Sequence, residues 1–471
     1  MPRSHQDFRD HSQSEDTRMD ISPSLLAFGK LVLTFGVILV LLRRHVELWL
    51  TIVAGAAVVA ITCGISVTDW PGLFFEVLQQ QEFLIICLMV FLILMLSSVQ
   101  EATGQSRLLV EGLEKHLHRP RIRLVLFPAL IGLLPMPGGA LFSCPMIKAA
   151  SKDMAITEQK KAQINYWFRH IWELSWPLYP GYVLTCALLH IPLSRLWQCT
   201  FPLVPMAFAA GWFFIMRDVV PPHKPDNADE YSPDASYSAP LSDQTAPRRA
   251  RNTAPPLREV LLHALPLGVT LFGAVVFTFL FSAFLPGVPS QLCFSLALLC
   301  AILTSLWQGR GRRERSLFSL AFTATTGKIL ILLYVIFVFK NTLVASGLVR
   351  SLGDLGASNL TVVLSFILLP FVCGLLTGIM VGFVGVSFPI LLGLLQHSSL
   401  QEYSVPLVIL GLAAGNAGQL LSPLHVCLVV TCEYFPSNLS GILRILLVPV
   451  IVLFVGAALW ALTALALGIT L

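Results

Sequence analysis

Leu124–Ile147, LVLFPALIGLLPMPGGALFSCPMI, and Leu360–Ile390, LTVVLSFILLPFVCGLLTGIMVGFVGVSFPI, decide how this chain is read. Both are apolar like membrane spans, and both are broken by glycine and proline at matching places. The breakers are Pro128, Pro135, Pro137, Gly138, Gly139 and Pro145 in the first, and Pro370, Gly374, Gly378, Gly382, Gly385 and Pro389 in the second. A pair of interrupted apolar segments in corresponding positions of two halves is the sequence mark of a transporter's binding site.

The match extends outward from these segments. Gly104 to Pro128 is 24 residues and Gly347 to Pro370 is 23; Gly104 to Pro145 is 41 and Gly347 to Pro389 is 42. Pro145 to Pro177 is 32 residues, against 34 from Pro389 to Pro423. Ser143-Cys144-Pro145 stands opposite Ser387-Phe388-Pro389. Three near-equal spacings and a matched tripeptide, four matches in register, point to an internal repeat.

Composition sets the environment. The chain has 471 residues, 55% hydrophobic and only 12% charged, against roughly 25% charged in a soluble domain. That much apolar surface cannot face water, and the apolar runs have the length of a bilayer, about 20 residues. The net charge of +5 comes from short basic loops beside spans, not from a basic face interleaved with aromatics, so no nucleic-acid partner is expected. Ten scattered cysteines without Cys-x-x-Cys spacing read as buried free thiols.

Residues 1–23 form a polar tail, and the run that follows lacks a small-residue cleavage site, so it reads as an uncleaved span. Spans are expected near 24–42, 46–65, 83–99, 162–190 and 197–215, then 260–285, 291–308, 323–345, 404–432 and 441–468. The first repeat is 24–216 with its broken segment at 122–150; the second is 259–471 with its broken segment at 360–396. Between them, 217–258 is rich in Pro, Ser, Ala and Asp and reads as a disordered cytoplasmic linker.

Basic loops mark the cytoplasmic side: Arg43 and Arg44, then Arg119 to Arg123, then Lys148 to Lys161, then Arg310 to Arg315. Segments 66–82, 286–290 and 397–403 have no Lys or Arg and fall on the other side. Five spans per half make the two repeats inverted. Leu124–Leu134 is 11 residues, about 16 Å as helix, which is half a bilayer. Basic residues flank both ends of the first broken segment, so each such segment is expected to be a re-entrant hairpin. The expected fold is thus an all-α polytopic membrane protein of about ten transmembrane helices and two re-entrant hairpins.

Polar residues inside spans mark pathways or partners. In NYWFRHIWELSWPLYPGY, Asn165, Arg169, Glu173 and Pro177 recur every four residues and would share a helix face, with Arg169 and Glu173 placed to pair. His170-x-x-Glu173 offers two ligand types, too few for a metal site, and no cofactor is expected. In the second half, GLAAGNAGQLLSPLHVCLVVTCEYF has Gly415, Gly418 and Pro423 to unwind it, with Asn416, Gln419, Ser422 and His425 nearby. Broken-helix ends suit an anion at the N-terminus and a cation at the carbonyls. Lys340-Asn341 lies deep in another span, and Trp167, Trp172, Trp176 and Tyr179 read as packing or interface anchors.

The strings LPMPGGALFSCPM, NYWFRHIWELSWPLYPG and GNAGQLLSPLHVCLVVTCEYF resemble the signatures of a prokaryotic integral-membrane family catalogued as domain of unknown function 401. The resemblance spans the chain except its first 20 residues and the linker. That family is similar, more distantly, to the superfamily of gluconate permeases, dicarboxylate/sodium symporters and arsenite exporters. The resemblance implies paired hairpins, inverted repeats, a central site at the hairpin tips and, often, a homodimer. Dicarboxylate symporters have Ser-Asn-Thr at each tip. Here Met136-Pro137-Gly138-Gly139 and Thr377-Gly378-Ile379-Met380 stand instead, so sodium coupling and a dicarboxylate substrate do not carry over.

The expectation is a secondary transporter, not an enzyme, in the cell inner (cytoplasmic) membrane, moving a small anionic solute such as an organic acid. Solute-binding residues would be Pro137, Gly138, Gly139, Ser143, Arg169, Thr377, Gly378, Gly382, Ser387, Asn416, Gln419 and Ser422. Asn165, His170, Glu173 and His425 would handle the coupling ion, H+ or Na+. The alternative is a membrane enzyme acting on a lipid-linked substrate at the cytoplasmic face.

Overall fold

The computed structural model describes residues 23–114, 116–117, 119–134, 139–152, 154–219, 256–285, 287–311, 316–348, 351 and 359–469. The polar tail, most of the linker, and the tip residues Pro137 and Gly138 lie outside them. Among the described residues there are helices and turns and no strands.

The first half runs α1 Pro23–Arg43, α2 Leu48–Thr62, α3 Trp70–Gln79, α4 Gln81–Ala102, α5 Gln105–Glu114, α6 Pro120–Gly132, α7 Ala140–Ala150, α8 Glu158–Arg169, α9 Pro180–Leu189, α10 Leu193–Thr200 and α11 Leu203–Phe214. The second runs α12 Leu257–Phe284, α13 Ser290–Gln308, α14 Leu317–Ala321, α15 Ala324–Ala345, α16 Asn359–Thr377, α17 Met380–Gln396, α18 Ser404–Leu420, α19 Val426–Tyr434 and α20 Leu439–Ala466. Eight of these are long and apolar enough to cross a bilayer: α1, α4, α12, α13, α15, α16, α18 (counted from Gln401) and α20. The protein is therefore a multi-pass membrane protein.

The halves follow one plan. Two apolar helices open each, a short helix precedes α4 in the first half and α15 in the second, and a packed pair comes later in each: α6 with α7 (after α5), α16 with α17. Gly104 and Gly347, matched by spacing, both adopt the left-handed conformation after α4 and α15, with φ of +68° and +63°. Only glycine takes that conformation without a Cβ penalty.

Three expected spans are not continuous. Residues 162–190 divide into α8 and α9, 404–432 into α18 and α19, and 197–215 into α10 and α11 at Pro202. Tyr179, before Pro180, is forced to extended backbone (φ −81°, ψ 125°). The shared helix face expected of Asn165, Arg169, Glu173 and Pro177 does not form, because α8 ends at Arg169. Gly415 and Gly418 do not unwind α18; they lie inside it, and the chain leaves the helix only at Leu421–His425, around Pro423.

Burial separates centre from rim. Of the most apolar stretch in each helix, 78% is inside the molecule for the helix ending at Leu420 but only 11% for α12, whose Phe272, Phe279 and Phe284 are exposed. The glycines explain the depth of α18. A Cβ at Gly418 would lie 2.0 Å from the Phe371 carbonyl oxygen, and one at Gly415 would lie 2.3 Å from the Phe383 ring. Close helix approach through small residues is the usual device where lipid removes the hydrophobic drive between helices.

Candidate functional site

The two unwound stretches, 170–179 between α8 and α9 and 421–425 between α18 and α19, meet in the middle of the fold. Unwound backbone there needs substitute partners. Trp172 Nε1 donates to Ala129 O at 2.9 Å, Trp176 Nε1 to Leu133 O at 2.8 Å, and Tyr179 Oη to Gly132 O at 2.6 Å. These three side chains cap the carbonyl end of α6. In the other half, Ser422 Oγ donates to Leu375 O at 2.7 Å, near the carbonyl end of α16. Tyr166 Oη bridges the halves by donating to Leu420 O at 3.1 Å. The anchor reading of Trp172, Trp176 and Tyr179 thus becomes specific: they are helix caps.

The matched spacings can be extended to individual residues. The spacing that pairs Pro128 with Pro370 pairs Gly132 with Gly374 and Leu133 with Leu375. The spacing that pairs Pro177 with Pro423 pairs Arg169 with Gly415, Glu173 with Gln419 and Trp176 with Ser422. Matched residues make matched contacts. A Cβ on Gly132 would meet Arg169 O at 2.2 Å, and one on Gly374 would meet Gly415 O at 2.1 Å. Trp176 caps Leu133 as Ser422 caps Leu375. Glu173 and Gln419 also touch each other: Gln419 Nε2 donates to Glu173 Oε2 at 2.6 Å.

Around that contact lies a buried polar centre. Arg169, His170, Glu173, Asn416, Gln419 and His425 are each no more than 7% exposed. His170 Nδ1 lies 2.5 Å from Tyr166 O, and its Nε2 lies 3.0 Å from His425 Nε2, with the two rings perpendicular. Glu173 Oε1 stands 4.0 Å from His170 Nε2, so an imidazole borders the carboxylate on its own segment. Arg169 lies against the tip of the first packed pair, where a Cβ on Gly139 would come within 2.3 Å of its Nη1. Buried charges persist only when paired or aimed at a partner.

Three uncharged groups complete the centre. Asn165 donates through Nδ2 to Thr431 Oγ1 at 3.0 Å and to Cys144 Sγ at 3.1 Å, tying α7, α8 and α19 together. The side-chain oxygens of Asn165, Asn416 and Gln419 find no hydrogen-bond partner among the described residues. A buried acceptor left so costs about 1–3 kcal/mol, which makes these atoms candidates for ligand contact.

The tip of the second pair is a tight turn. Gly378 has φ +65°, and a Cβ there would press on the His425 backbone at 3.0 Å. Thr377 closes the turn by donating to Cys373 O at 2.8 Å and Ile379 O at 3.3 Å, and it fills the space beside Gly382. The structure therefore brings Gly139, Arg169, Gly378 and His425 to one centre with His170, Glu173 and Gln419. Ser143 and Ser387 are fully buried, and both hydroxyls bond the carbonyl four residues back in their own helix. Their hydroxyls are engaged by backbone carbonyls, as is that of Ser422 in its capping role.

Cys427 joins the centre without having been singled out in the sequence. One ligand atom from each of His170, His425 and Cys427 lies within 4.8 Å of the others. The available signal was His425-x-Cys427, but its partner His170 lies in the other half. Lys340 and Asn341 lie elsewhere: Lys340 stands 5.4 Å from the Phe337 ring, and Asn341 accepts from Gln80 Nε2 at 3.1 Å. With His190, Pro389 and His397, Lys340 lines a cleft of about 470 Å³ at the ends of α9, α15 and α17.

No curated protein matches the chain. The family model described as "Protein of unknown function (DUF401)" matches residues 27–228 and again residues 268–469, two stretches of equal length that fall one in each half. Most of the chain is covered by these matches, and it belongs to this family of proteins of unknown function, DUF401.

Proposed function

We propose that the protein is a secondary active transporter, a permease of the cell's inner (cytoplasmic) membrane, carrying a small anionic solute such as an organic acid by alternating access. The observation that carries the reading is the Glu173–Gln419 contact. Residues in matched positions of two repeats that touch each other lie on the axis relating those repeats. In transporters built from repeats, the substrate site lies at that interface, formed by discontinuous helices.

The lengths support a midplane position. Helix α8 has 12 residues and α9 has 10, about 18 and 15 Å, so each covers half of a roughly 30 Å hydrocarbon core. The stretch between them then falls near mid-depth. On this reading α8 with α9, α10 with α11, and α18 with α19 each make one crossing. With α1, α2, α4, α12, α13, α15 and α20 they give ten crossings in two inverted repeats. The pairs α6–α7 and α16–α17 are the re-entrant hairpins. The 13 residues of α6 suit a half-depth arm, while the 19 of α16 reach deeper.

Arg169 is the anion partner, presented against the Gly139 tip. Asn416 and Gln419 supply uncharged contacts, and the Thr377–Gly382 turn closes the opposite side. Glu173, flanked by His170 and His425, carries the coupling proton, with Asn165 as the neighbouring polar support. The cleft beside Lys340 and His190 is the vestibule on the non-cytoplasmic side. Charge on the loops supports that sidedness, since 397–403 has no Lys or Arg.

Reconstituted protein should accumulate a labelled organic acid against its gradient, with saturation, and Arg169→Ala should abolish that uptake while the protein stays folded. Normal uptake by Arg169→Ala removes the anion role. Flux without saturation would make the protein a channel.

A further inference from the structure

We infer that His170, His425 and Cys427 form a binding site for a transition-metal ion of the zinc class. Donor type comes first. Two imidazole nitrogens and a thiol sulfur are borderline-to-soft ligands, suited to Zn²⁺, Co²⁺ or Cu⁺ and unsuited to Na⁺, Mg²⁺ or Ca²⁺, which take oxygen. The ligand atoms already lie within 4.8 Å of one another.

The spacing fits an ion between them. On a tetrahedral zinc with Zn–N near 2.0–2.1 Å, two imidazole nitrogens stand about 3.3 Å apart; here the two Nε2 atoms are 3.0 Å apart. Orientation is fixed from behind. Nδ1 of His170 lies 2.5 Å from Tyr166 O, so it donates its proton there and turns the Nε2 lone pair inward. A backbone carbonyl on the far nitrogen is the usual support of a metal-binding histidine. His425 is held by the other half: it is the N-cap of α19, and the Gly378 turn packs on its backbone.

Three protein ligands leave a fourth position, as in zinc sites that bind an exogenous ligand. Glu173 Oε1, 4.0 Å from His170 Nε2, borders it. Charge explains how Arg169 tolerates a cation nearby. A coordinating thiol loses its proton, so the thiolate and Glu173 offset the divalent ion, and Arg169 remains as a single excess positive charge that favours an anion in the fourth position. The role of the ion as a solute anchor rests on the transporter reading; the binding itself does not.

The test uses full-length protein in detergent, stripped with a chelator and titrated with Co²⁺ as the probe. A thiolate-to-cobalt charge-transfer band saturating at one ion per chain, displaced by Zn²⁺ and not by Mg²⁺, is expected. Cys427→Ser should lose the band, and His170→Ala and His425→Ala should each weaken binding about 10-fold or more. Should a variant fail to fold, alkylation of Cys427 in the unaltered protein, followed by mass spectrometry, reads the same site: Zn²⁺ should slow it selectively. No band and no protection in folded protein overturns the inference, as does a band that persists in Cys427→Ser. Uptake is read separately, so metal binding without uptake sinks the transporter reading alone, and uptake without metal binding sinks this inference alone.

Discussion

Gly139 and Gly132 show why two glycines near one arginine predict opposite experiments. A Cβ on Gly139 meets the far end of the Arg169 side chain, at 2.3 Å from Nη1, and a guanidinium can swing away cheaply. Gly139→Ala should therefore leave the unfolding temperature nearly unchanged but displace the group proposed to hold the anion. The solute affinity read from ligand stabilisation should fall by about 10-fold or more, because a ligand stabilises only as far as it binds the native state. A Cβ on Gly132 or Gly374 meets a backbone carbonyl oxygen at 2.2 or 2.1 Å, which cannot move without its helix. Gly132→Ala and Gly374→Ala should each destabilise by about 1–3 kcal/mol or more, read by denaturant unfolding in detergent. Equal damage from all three would mean that Arg169 is as rigid as backbone. Sequence makes Arg169 and Gly139 candidates because charge and flexibility are rare at membrane depth. It cannot separate glycines that unwind a helix from those that admit a neighbour, as Gly415 and Gly418 do, because both uses need only a missing side chain. Cys427 was illegible for another reason: its importance depends on His170, 257 residues earlier, and no local pattern reports that proximity.

The break in the second half was legible as a place of weakness, since Pro423 disrupts helix wherever it stands, although the first-half span was read as one continuous helix. Where the helix stops was not legible in the first half. Helix α8 ends at Arg169, well before Pro177, because Trp172, Trp176 and Tyr179 turn toward the carbonyl end of α6. A periodicity argument sees four-residue spacing and extends the helix; it cannot see acceptors on another element. The caps give the prediction at this scale. Trp176→Phe removes one donor from Leu133 O together with part of the buried indole, while Ser422→Ala removes only the donor from Leu375 O. Each leaves one buried carbonyl without that partner, worth about 1–3 kcal/mol, so both should destabilise in unfolding experiments, Trp176→Phe by more because it also opens a cavity. A loss confined to Trp176→Phe would show that the second half satisfies Leu375 some other way, and that the matched caps are not equivalent.

For the molecule as a whole, the long membrane helices could be read from apolar runs, because a bilayer demands about 20 apolar residues for each crossing. Which residues meet across the halves could not, since that depends on how the halves are related in space. The Glu173–Gln419 pair tests that relation. The two positions match by spacing, and they share a hydrogen bond of 2.6 Å. Glu173→Gln puts two amides face to face, which can still hydrogen-bond, at the loss of one charge-assisted bond of about 1.5–3 kcal/mol. Gln419→Glu puts two carboxylates in contact, so the pair must either oppose like charges or bind a proton at an energetic cost. The double variant Glu173→Gln with Gln419→Glu restores one carboxylate and one amide across the axis, although the carboxylate then starts from the segment bearing Asn416 instead of His170. Unfolding temperature at neutral pH should therefore rank unaltered protein highest, the double variant close below, Glu173→Gln next and Gln419→Glu lowest. Uptake should follow a different order if Glu173 carries the coupling proton: the double variant should keep substrate binding yet lose concentrative transport, because the carboxylate has left the side of His170. A Gln419→Glu protein no less stable than Glu173→Gln would mean that the two residues do not face each other, and the axis through them would have to be abandoned.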